Sequence, residues 1–124
     1  MTIFKSHHPV KHLKSFKYAF SGILHTLLHE ANFRLQILVT AIAVGAGLYF
    51  QINATEWSVL IIAFASLLSA EVLNTSIENF INFMIPRKSD VVRIVKDLAA
   101  GFVLINALAC LAILFIIFGK YLIK

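Results

Sequence analysis

The 124-residue sequence has little charge, because only 14% of its residues are Asp, Glu, Lys or Arg, against about 25% in a typical soluble domain. Cysteine is scarce as well: Cys110 stands alone, which excludes a small secreted module held by disulfides. The 60% apolar content excludes a disordered tail. With a mean hydropathy of +0.86, the chain is predicted to be a small integral membrane protein with one domain over residues 1–124.

Three stretches that are poor in charge are each long enough to cross a membrane. Since about 20 helical residues span a hydrocarbon core of ~30 Å, we expect transmembrane helices over residues 34–53, 57–85 and 96–121. The short alternating segments typical of membrane β-barrels are absent from the sequence. Residues 11–31 have the amphipathic pattern of a helix that lies on the membrane surface. The predicted fold class is all-α, with three transmembrane helices and an N-terminal surface helix.

The distribution of lysine and arginine predicts the orientation. Five of these residues precede Leu35, none lies in residues 51–56, four lie in residues 86–97, and two lie in the C-terminal tail. Because cytoplasmic segments carry the excess of positive charge, the N-terminus and the second link are predicted to be cytoplasmic. The net charge of +5 would then face anionic headgroups and an anionic substrate. Nucleic acid is not an expected partner, since no aromatic residues are interleaved with the basic ones.

Acidic residues inside an apolar span are the most informative feature of the sequence. Glu71 and Glu78 would each cost about 2–3 kcal/mol at the bilayer centre. Seven residues separate them, so they lie about 20° apart around a helix. Asn74, Thr75 and Asn82 fall within roughly 60° of the same line. This polar stripe is predicted to face protein or water rather than lipid.

Several polar residues are expected to meet near the cytoplasmic surface, namely Glu30, Glu71, Asn74, Glu78, Lys96 and Asp97. Carboxylates and an amide suit Mg²⁺ better than Zn²⁺. Carboxylate-bound Mg²⁺ beside a lysine is an arrangement that holds nucleotide phosphates, and a further carboxylate is a candidate base for a hydroxyl. Proton relays, ion pathways and contacts between helices are alternative uses of such acids.

Three further features of the sequence lead to predictions. His25 and His29 lie one helical turn apart and precede Glu30, which makes them a second candidate metal site, although their order is not that of the HExxH metalloproteases. The alternative is that both histidines are simply solvated among the headgroups. In the third span, Asn106 is predicted to form a hydrogen bond with a neighbouring helix and Cys110 to pack in the apolar interior.

Three segments resemble the prokaryotic diacylglycerol kinase family. Residues 71–78 read E-V-L-N-T-S-I-E, which is similar to the family signature E-x-x-N-[TS]-[AS]-I-E. Residues 30–34, E-A-N-F-R, resemble its E-x-x-F-R segment, and residues 95–101, V-K-D-L-A-A-G, resemble its A-K-D-x-A-A-G segment. Tyr18 also matches, and the segments occur in the family's order over about residues 11–120.

The resemblance implies a homotrimeric enzyme of a bacterial inner membrane that transfers the γ-phosphoryl group of Mg-ATP to a lipid hydroxyl. Diacylglycerol is the expected acceptor and undecaprenol the alternative. The implied catalytic base is Glu71, and the implied Mg²⁺ ligands are Glu30 and Glu78. The implied ATP-binding residues are Lys11, Tyr18, Glu30, Asn74, Glu78, Lys96 and Asp97. The implied lipid-binding residues are Arg34, Glu71, Ala100 and Gly101.

Two departures from the family pattern concern the nucleotide. Asn82 stands where the family often has Asp, which removes a negative charge from the polar stripe. Residues 87–89 are Arg-Lys-Ser where the family commonly has an acidic residue, an aromatic residue and His. The family's adenine and phosphate contacts in that link are therefore not carried over to this sequence, although the added cations, Arg87 and Lys88, could still meet phosphate oxygens. A non-enzymatic membrane trimer that conducts ions or protons is the alternative class.

Overall fold

The computed structural model describes residues 9–123, which form four α-helices and contain no β-strand. The helices are α1 (Pro9–His29), α2 (Ala31–Phe50), α3 (Ala54–Met84) and α4 (Asp90–Leu122). By length and composition, α2, α3 and α4 are each apolar enough to cross a membrane. The predicted all-α class, with three membrane-spanning helices after an N-terminal helix, is confirmed.

A single residue, Glu30, separates α1 from α2. Its backbone is extended, with φ −112° and ψ 111°, so the chain turns there. The Glu30 N–H still donates to the carbonyl oxygen of Thr26 at 2.8 Å, and its own carbonyl accepts from Arg34 at 3.2 Å. Because of this interruption, the first helix ends at His29 rather than residue 31, and the second begins at Ala31 rather than residue 34.

The turn between α2 and α3 is fixed by local backbone and capping interactions. α2 ends at Phe50 rather than residue 53 because Gln51 adopts a left-handed backbone, with φ 53°. Asn53 then caps α3: its Oδ1 accepts from the Glu56 N–H at 2.9 Å, and its Nδ2 donates to Glu56 Oε1 at 2.6 Å. The first bond satisfies a backbone N–H that the first helical turn leaves open, and the second holds the Asn53 and Glu56 side chains together. α3 therefore begins at Ala54 rather than residue 57.

A second cap places the start of α4 before the apolar segment. The Ser89 hydroxyl accepts from the Val92 N–H at 3.2 Å, and Asp90 lies in the first turn, where a negative charge is favourable. α4 therefore begins at Asp90, whereas the sequence predicted a span from residue 96. α3 ends at Met84, two residues before Pro86, which agrees with the restriction that proline imposes on the preceding residue.

α3 is the central helix, because it packs along α4 and also contacts α1 and α2. The buried apolar core lies between α2, α3 and α4 and consists of Ala43, Ile52, Leu60, Ala63, Phe64, Leu67, Cys110, Ile117 and Phe118. The Cys110 thiol donates to the Ala63 carbonyl at 3.2 Å, so its predicted packing role is confirmed. The prediction for Asn106 is wrong: its amide donates to the Phe102 carbonyl one turn earlier on α4, which satisfies it locally.

The membrane helices are joined at the end opposite Glu30. Lys120 Nζ lies 3.0 Å from Glu56 Oε1, which links the end of α4 to the start of α3. The Phe50 ring at the end of α2 stacks on Tyr121 of α4, with centroids 5.0 Å apart. All three spans are thus tied together at the end that the charge distribution predicts to be non-cytoplasmic.

Gly47 permits the close approach of α2 to the start of α3. A Cβ at this position would lie 2.7 Å from Trp57 Cη2 and 3.1 Å from Ile52 Cδ1. We expect Gly47→Ala to lower the free energy of unfolding by about 1–3 kcal/mol, because the indole would have to move. Gly45→Ala is the matched control, since apart from its chain neighbours and its own helix backbone no atom of residues 9–123 lies within 4 Å of the added Cβ.

The measurement is unfolding of detergent-solubilised protein by increasing SDS, followed through Trp57, the single tryptophan of the chain. Both variants gain the same helix propensity from alanine, so the difference between them isolates the steric contact. Equal stability of the two variants would contradict the assigned role of Gly47.

Candidate active site

The polar stripe of α3 is turned towards the protein. Glu71 is only 2% exposed, Asn74 and Thr75 are also buried, and Glu78 is half-buried. Asn82, at the end of the stripe, is exposed. The prediction that this stripe avoids lipid is confirmed for its buried members, since the helices that pack around α3 cover them.

Gln36 of α2 is the direct partner of Glu71. Its Nε2 donates to Glu71 Oε2 at 3.2 Å, while its own Oε1 is buried without a hydrogen-bond partner. A carboxylate is costly to bury without donors, so this bond fixes the orientation of Glu71. The sequence analysis missed Gln36. The available signal was a polar side chain in the otherwise apolar first span.

Two more carboxylates lie near Glu71. Glu30 lies at the α1–α2 corner, and Glu78 lies two turns, about 10 Å along the axis, from Glu71 on α3. Asn74 Nδ2 donates to Glu78 Oε1 at 3.4 Å, which leaves Asn74 Oδ1 buried without a partner. The Glu30 side chain makes no capping hydrogen bond to α2. The Asn74 and Glu78 acceptors therefore lie together on one face of α3, and Glu30 lies at the corner where α2 begins.

The oxygen donors of this region suit Mg²⁺, which keeps water or phosphate ligands, better than a metal ion that takes all of its ligands from the protein. Within residues 9–123, no group of three or more His, Cys, Asp or Glu side chains forms a ligand cluster. Mg²⁺ commonly takes only one or two protein carboxylates and keeps water or phosphate oxygens as its other ligands. Glu30, Glu78 and Asn74 Oδ1, which is buried without a partner, are the oxygen donors from which such a set could be drawn.

Lys96 connects α4 to the end of the polar stripe. Its Nζ donates to Asn82 Oδ1 at 2.6 Å, a contact that the sequence analysis did not anticipate. Asn82 stands where the family often has Asp. Because Asn82 is neutral, this bond positions the Lys96 ammonium group without neutralising its charge. Lys96 and Asp97 also line an open groove of 610 Å³ at the start of α4, together with Lys88 and Arg93.

Four of the predicted site residues lie on other surfaces of the chain. Lys11 and Tyr18 are exposed on α1, about 27 Å and about 17 Å along the axis from its last residue. Ala100 is exposed on α4, and no heavy atom lies within 4 Å of the position that a Cβ on Gly101 would take. Within one copy of the chain, these four residues therefore do not form one enclosed site.

Arg34 has a structural partner that the sequence analysis did not foresee. Its Nη1 donates to the carbonyl oxygens of Leu27 and Leu28, at 3.0 Å each. Both carbonyls belong to the last turn of α1, whose acceptors have no partner within the helix. Arg34 thus fixes the corner between α1 and α2, on which the position of Glu30 depends.

The sequence relationships agree with this arrangement. Residues 17–118 match the family described as prokaryotic diacylglycerol kinase. The chain belongs to this family. An undecaprenol kinase of Bacillus subtilis (strain 168) is 29% identical over 108 residues, which are 86% of this chain and 88% of that protein. A diacylglycerol kinase of Synechocystis sp. is 28% identical over 102 residues, which are 82% of this chain but only 58% of that protein.

Family membership makes the protein a lipid kinase with a membrane lipid as substrate. Its three apolar helices make it an integral membrane protein. The resemblance found in the sequence is therefore confirmed, and the enzymatic interpretation prevails over the non-enzymatic trimer. All predicted site residues except Lys11 fall within the part of the chain that matches the family.

The Arg34 contacts can be tested by hydrogen exchange. We expect Arg34→Ala to accelerate amide exchange in the last turn of α1 and to lower the free energy of unfolding by about 1.5–3 kcal/mol, because it removes two charged hydrogen bonds. Arg93→Ala is the control, since Arg93 is exposed and lies 3.9 Å from Asp90 in a weak ion pair. Unchanged exchange in α1 of the Arg34 variant would show that the corner does not depend on this guanidinium.

Proposed function

We propose that the protein transfers the γ-phosphoryl group of ATP to the hydroxyl of a membrane lipid at the cytoplasmic face. The observation that carries this proposal is the buried Glu71 carboxylate, to which Gln36 of α2 donates a hydrogen bond. Membership of a lipid kinase family supports the same reaction class.

Glu71 is the proposed catalytic base. Gln36 binds its Oε2, so Oε1 is the oxygen that accepts the proton of the lipid hydroxyl. The hydroxyl oxygen forms a bond to the γ-phosphorus while the bond between that phosphorus and the bridging oxygen breaks, and ADP leaves. Positioning and electrostatic stabilisation supply most of the rate in such transfers. The fixed carboxylate contributes mainly by presenting its oxygen in one orientation.

Glu30 and Glu78 are the proposed Mg²⁺ ligands, with Asn74 beside them. The bound ion would neutralise charge on the phosphates. Lys96, held by Asn82, adds a positive charge to the transferring group. Asp97 completes the nucleotide site where α4 begins. In the adjoining groove, Lys88 and Arg93 offer cations to the phosphate oxygens. Of these two, Lys88 lies in the link where the family commonly has an acidic residue, an aromatic residue and His.

A homotrimer would complete the site with residues that one copy leaves apart. Lys11 and Tyr18 are proposed to flank the nucleotide, and Ala100 and Gly101 to border the lipid entrance with Arg34. Sites shared between copies would account for the open surface at Gly101. The excess of lysine and arginine before α2 and between α3 and α4 supports a cytoplasmic N-terminus in a bacterial inner membrane.

Diacylglycerol is the first proposed acceptor, and undecaprenol is the second. A groove of 520 Å³ between α1, α2 and α3 has an almost entirely apolar lining that includes Ile23, Phe33 and Val72. Such a groove suits a hydrocarbon chain of either lipid, so only the hydroxyl end needs polar recognition. Undecaprenol is kept as the second acceptor because one relative, matched over 88% of its length, is named as an undecaprenol kinase.

The decisive assay uses purified protein in mixed micelles with radiolabelled ATP, Mg²⁺ and each lipid in parallel. We expect labelled lipid from the wild type and a loss of about 10²–10⁴-fold from Glu71→Gln, which cannot accept the proton. Glu56→Gln is the matched control, because it removes a carboxylate from the opposite end of the same helix. Failure of folded wild type to label either lipid would refute the proposal. Full activity of the Glu71 variant would remove the assigned base.

Mg²⁺ titration tests the two proposed ligands separately from the base. We expect Glu30→Gln and Glu78→Gln to raise the Mg²⁺ concentration for half-maximal rate by about tenfold or more, because each loses an anionic ligand. Glu56→Gln, which changes a carboxylate at the opposite end of α3, should keep the wild-type dependence. A lower maximal rate with an unchanged Mg²⁺ requirement would show that these residues do not hold the ion.

A further inference from the structure

Two histidines near the end of α1 form a compact pair outside the site described above. The rings of His25 and His29 stack with their centroids 4.2 Å apart and their planes 26° apart. Both residues are exposed, and they lie one turn apart on the same face of the helix. His29 Nδ1 lies 2.8 Å from the carbonyl oxygen of His25.

This hydrogen bond determines which nitrogen of His29 can bind a ligand. A carbonyl oxygen only accepts, so Nδ1 must carry the hydrogen, and Nε2 of the neutral ring keeps its lone pair. Histidines that bind metal ions are commonly oriented in this way, by donating their other ring N–H to a backbone carbonyl. The His25 ring, stacked beside it, brings a second imidazole to the same exposed place.

We propose that His25 and His29 form a binding site for a divalent first-row transition ion such as Zn²⁺, Ni²⁺ or Cu²⁺. Imidazole nitrogen suits these ions, whereas the carboxylate and amide oxygens around Glu71 suit Mg²⁺. Within residues 9–123, no third His, Cys, Asp or Glu joins the pair in a ligand cluster. Water or a lipid phosphate at headgroup level therefore fills the remaining positions.

An ion bound at this site would stabilise the end of α1. It would join two residues one turn apart, immediately before the extended backbone of Glu30. Because the ion binds the folded helix better than the unfolded chain, it should stabilise α1 against unfolding. The pair thus gives the α1–α2 corner a response to transition metals that is chemically distinct from the proposed Mg²⁺ requirement.

The test measures metal binding directly, by titration calorimetry of tag-free protein in detergent. His7, His8 and His12 are replaced by Ala in every sample, so that His25 and His29 are the remaining histidines of the five in the chain. Excess Mg²⁺ is present throughout to occupy oxygen sites. We expect one Zn²⁺ or Ni²⁺ per chain, and an affinity at least about tenfold weaker after His25→Ala or His29→Ala.

A change of spacing provides the matched control. Combining Leu24→His with His25→Ala keeps two histidines but places them five residues apart, on different faces of the helix. This variant should bind as weakly as the single His variants. Hydrogen exchange should show slower opening of the last turn of α1 when the parent protein is loaded with metal. Equal affinity of the parent and its His25→Ala or His29→Ala variants would overturn the proposal, whatever the kinase assay shows.

Discussion

Burial of the Glu71 carboxylate is the constraint on which the arrangement of the membrane helices depends. An uncompensated acid in an apolar span is expensive, so another helix must bring a donor to it. Gln36 supplies that donor at 3.2 Å, which fixes how α2 lies against α3. Gly47 allows α2 to meet the start of α3 closely, and Arg34 holds the corner from which α2 begins. The contacts of Arg34 and Gly47 at the two ends of α2 therefore help to keep Gln36 beside Glu71.

The number of transmembrane helices could be predicted from the sequence because it depends only on length and charge. Their ends could not be predicted in this way, since single residues decide them. Gln51 ends α2 by its left-handed backbone, and Asn53 and Ser89 start α3 and α4 through capping bonds. These caps precede or lie outside the apolar runs, so hydropathy does not detect them. The Ser89 cap extends α4 by residues 90–95, about one and a half turns that include Arg93 and precede Lys96.

Helical periodicity predicted the polar stripe because all its members lie on one helix. Contacts between helices depend on their relative rotation and register, which periodicity does not fix. The Gln36–Glu71 and Lys96–Asn82 bonds are therefore visible only in the structure. Asn106 shows the opposite error: its amide finds a carbonyl on its own helix, so a polar residue in a span need not indicate a neighbour.

The carboxylates and the imidazoles lie on different helices, and the two groups differ in burial. Acids that need compensation lie between α2 and α3, where Glu71 is buried and Glu78 is partly covered. Imidazoles, which tolerate exposure in either protonation state, lie on the outer surface of α1. The extended backbone at Glu30 is the point where these surfaces meet, because it turns the chain from a surface helix into a spanning one. A change at the end of α1 therefore acts first on Glu30, the carboxylate that lies at this corner.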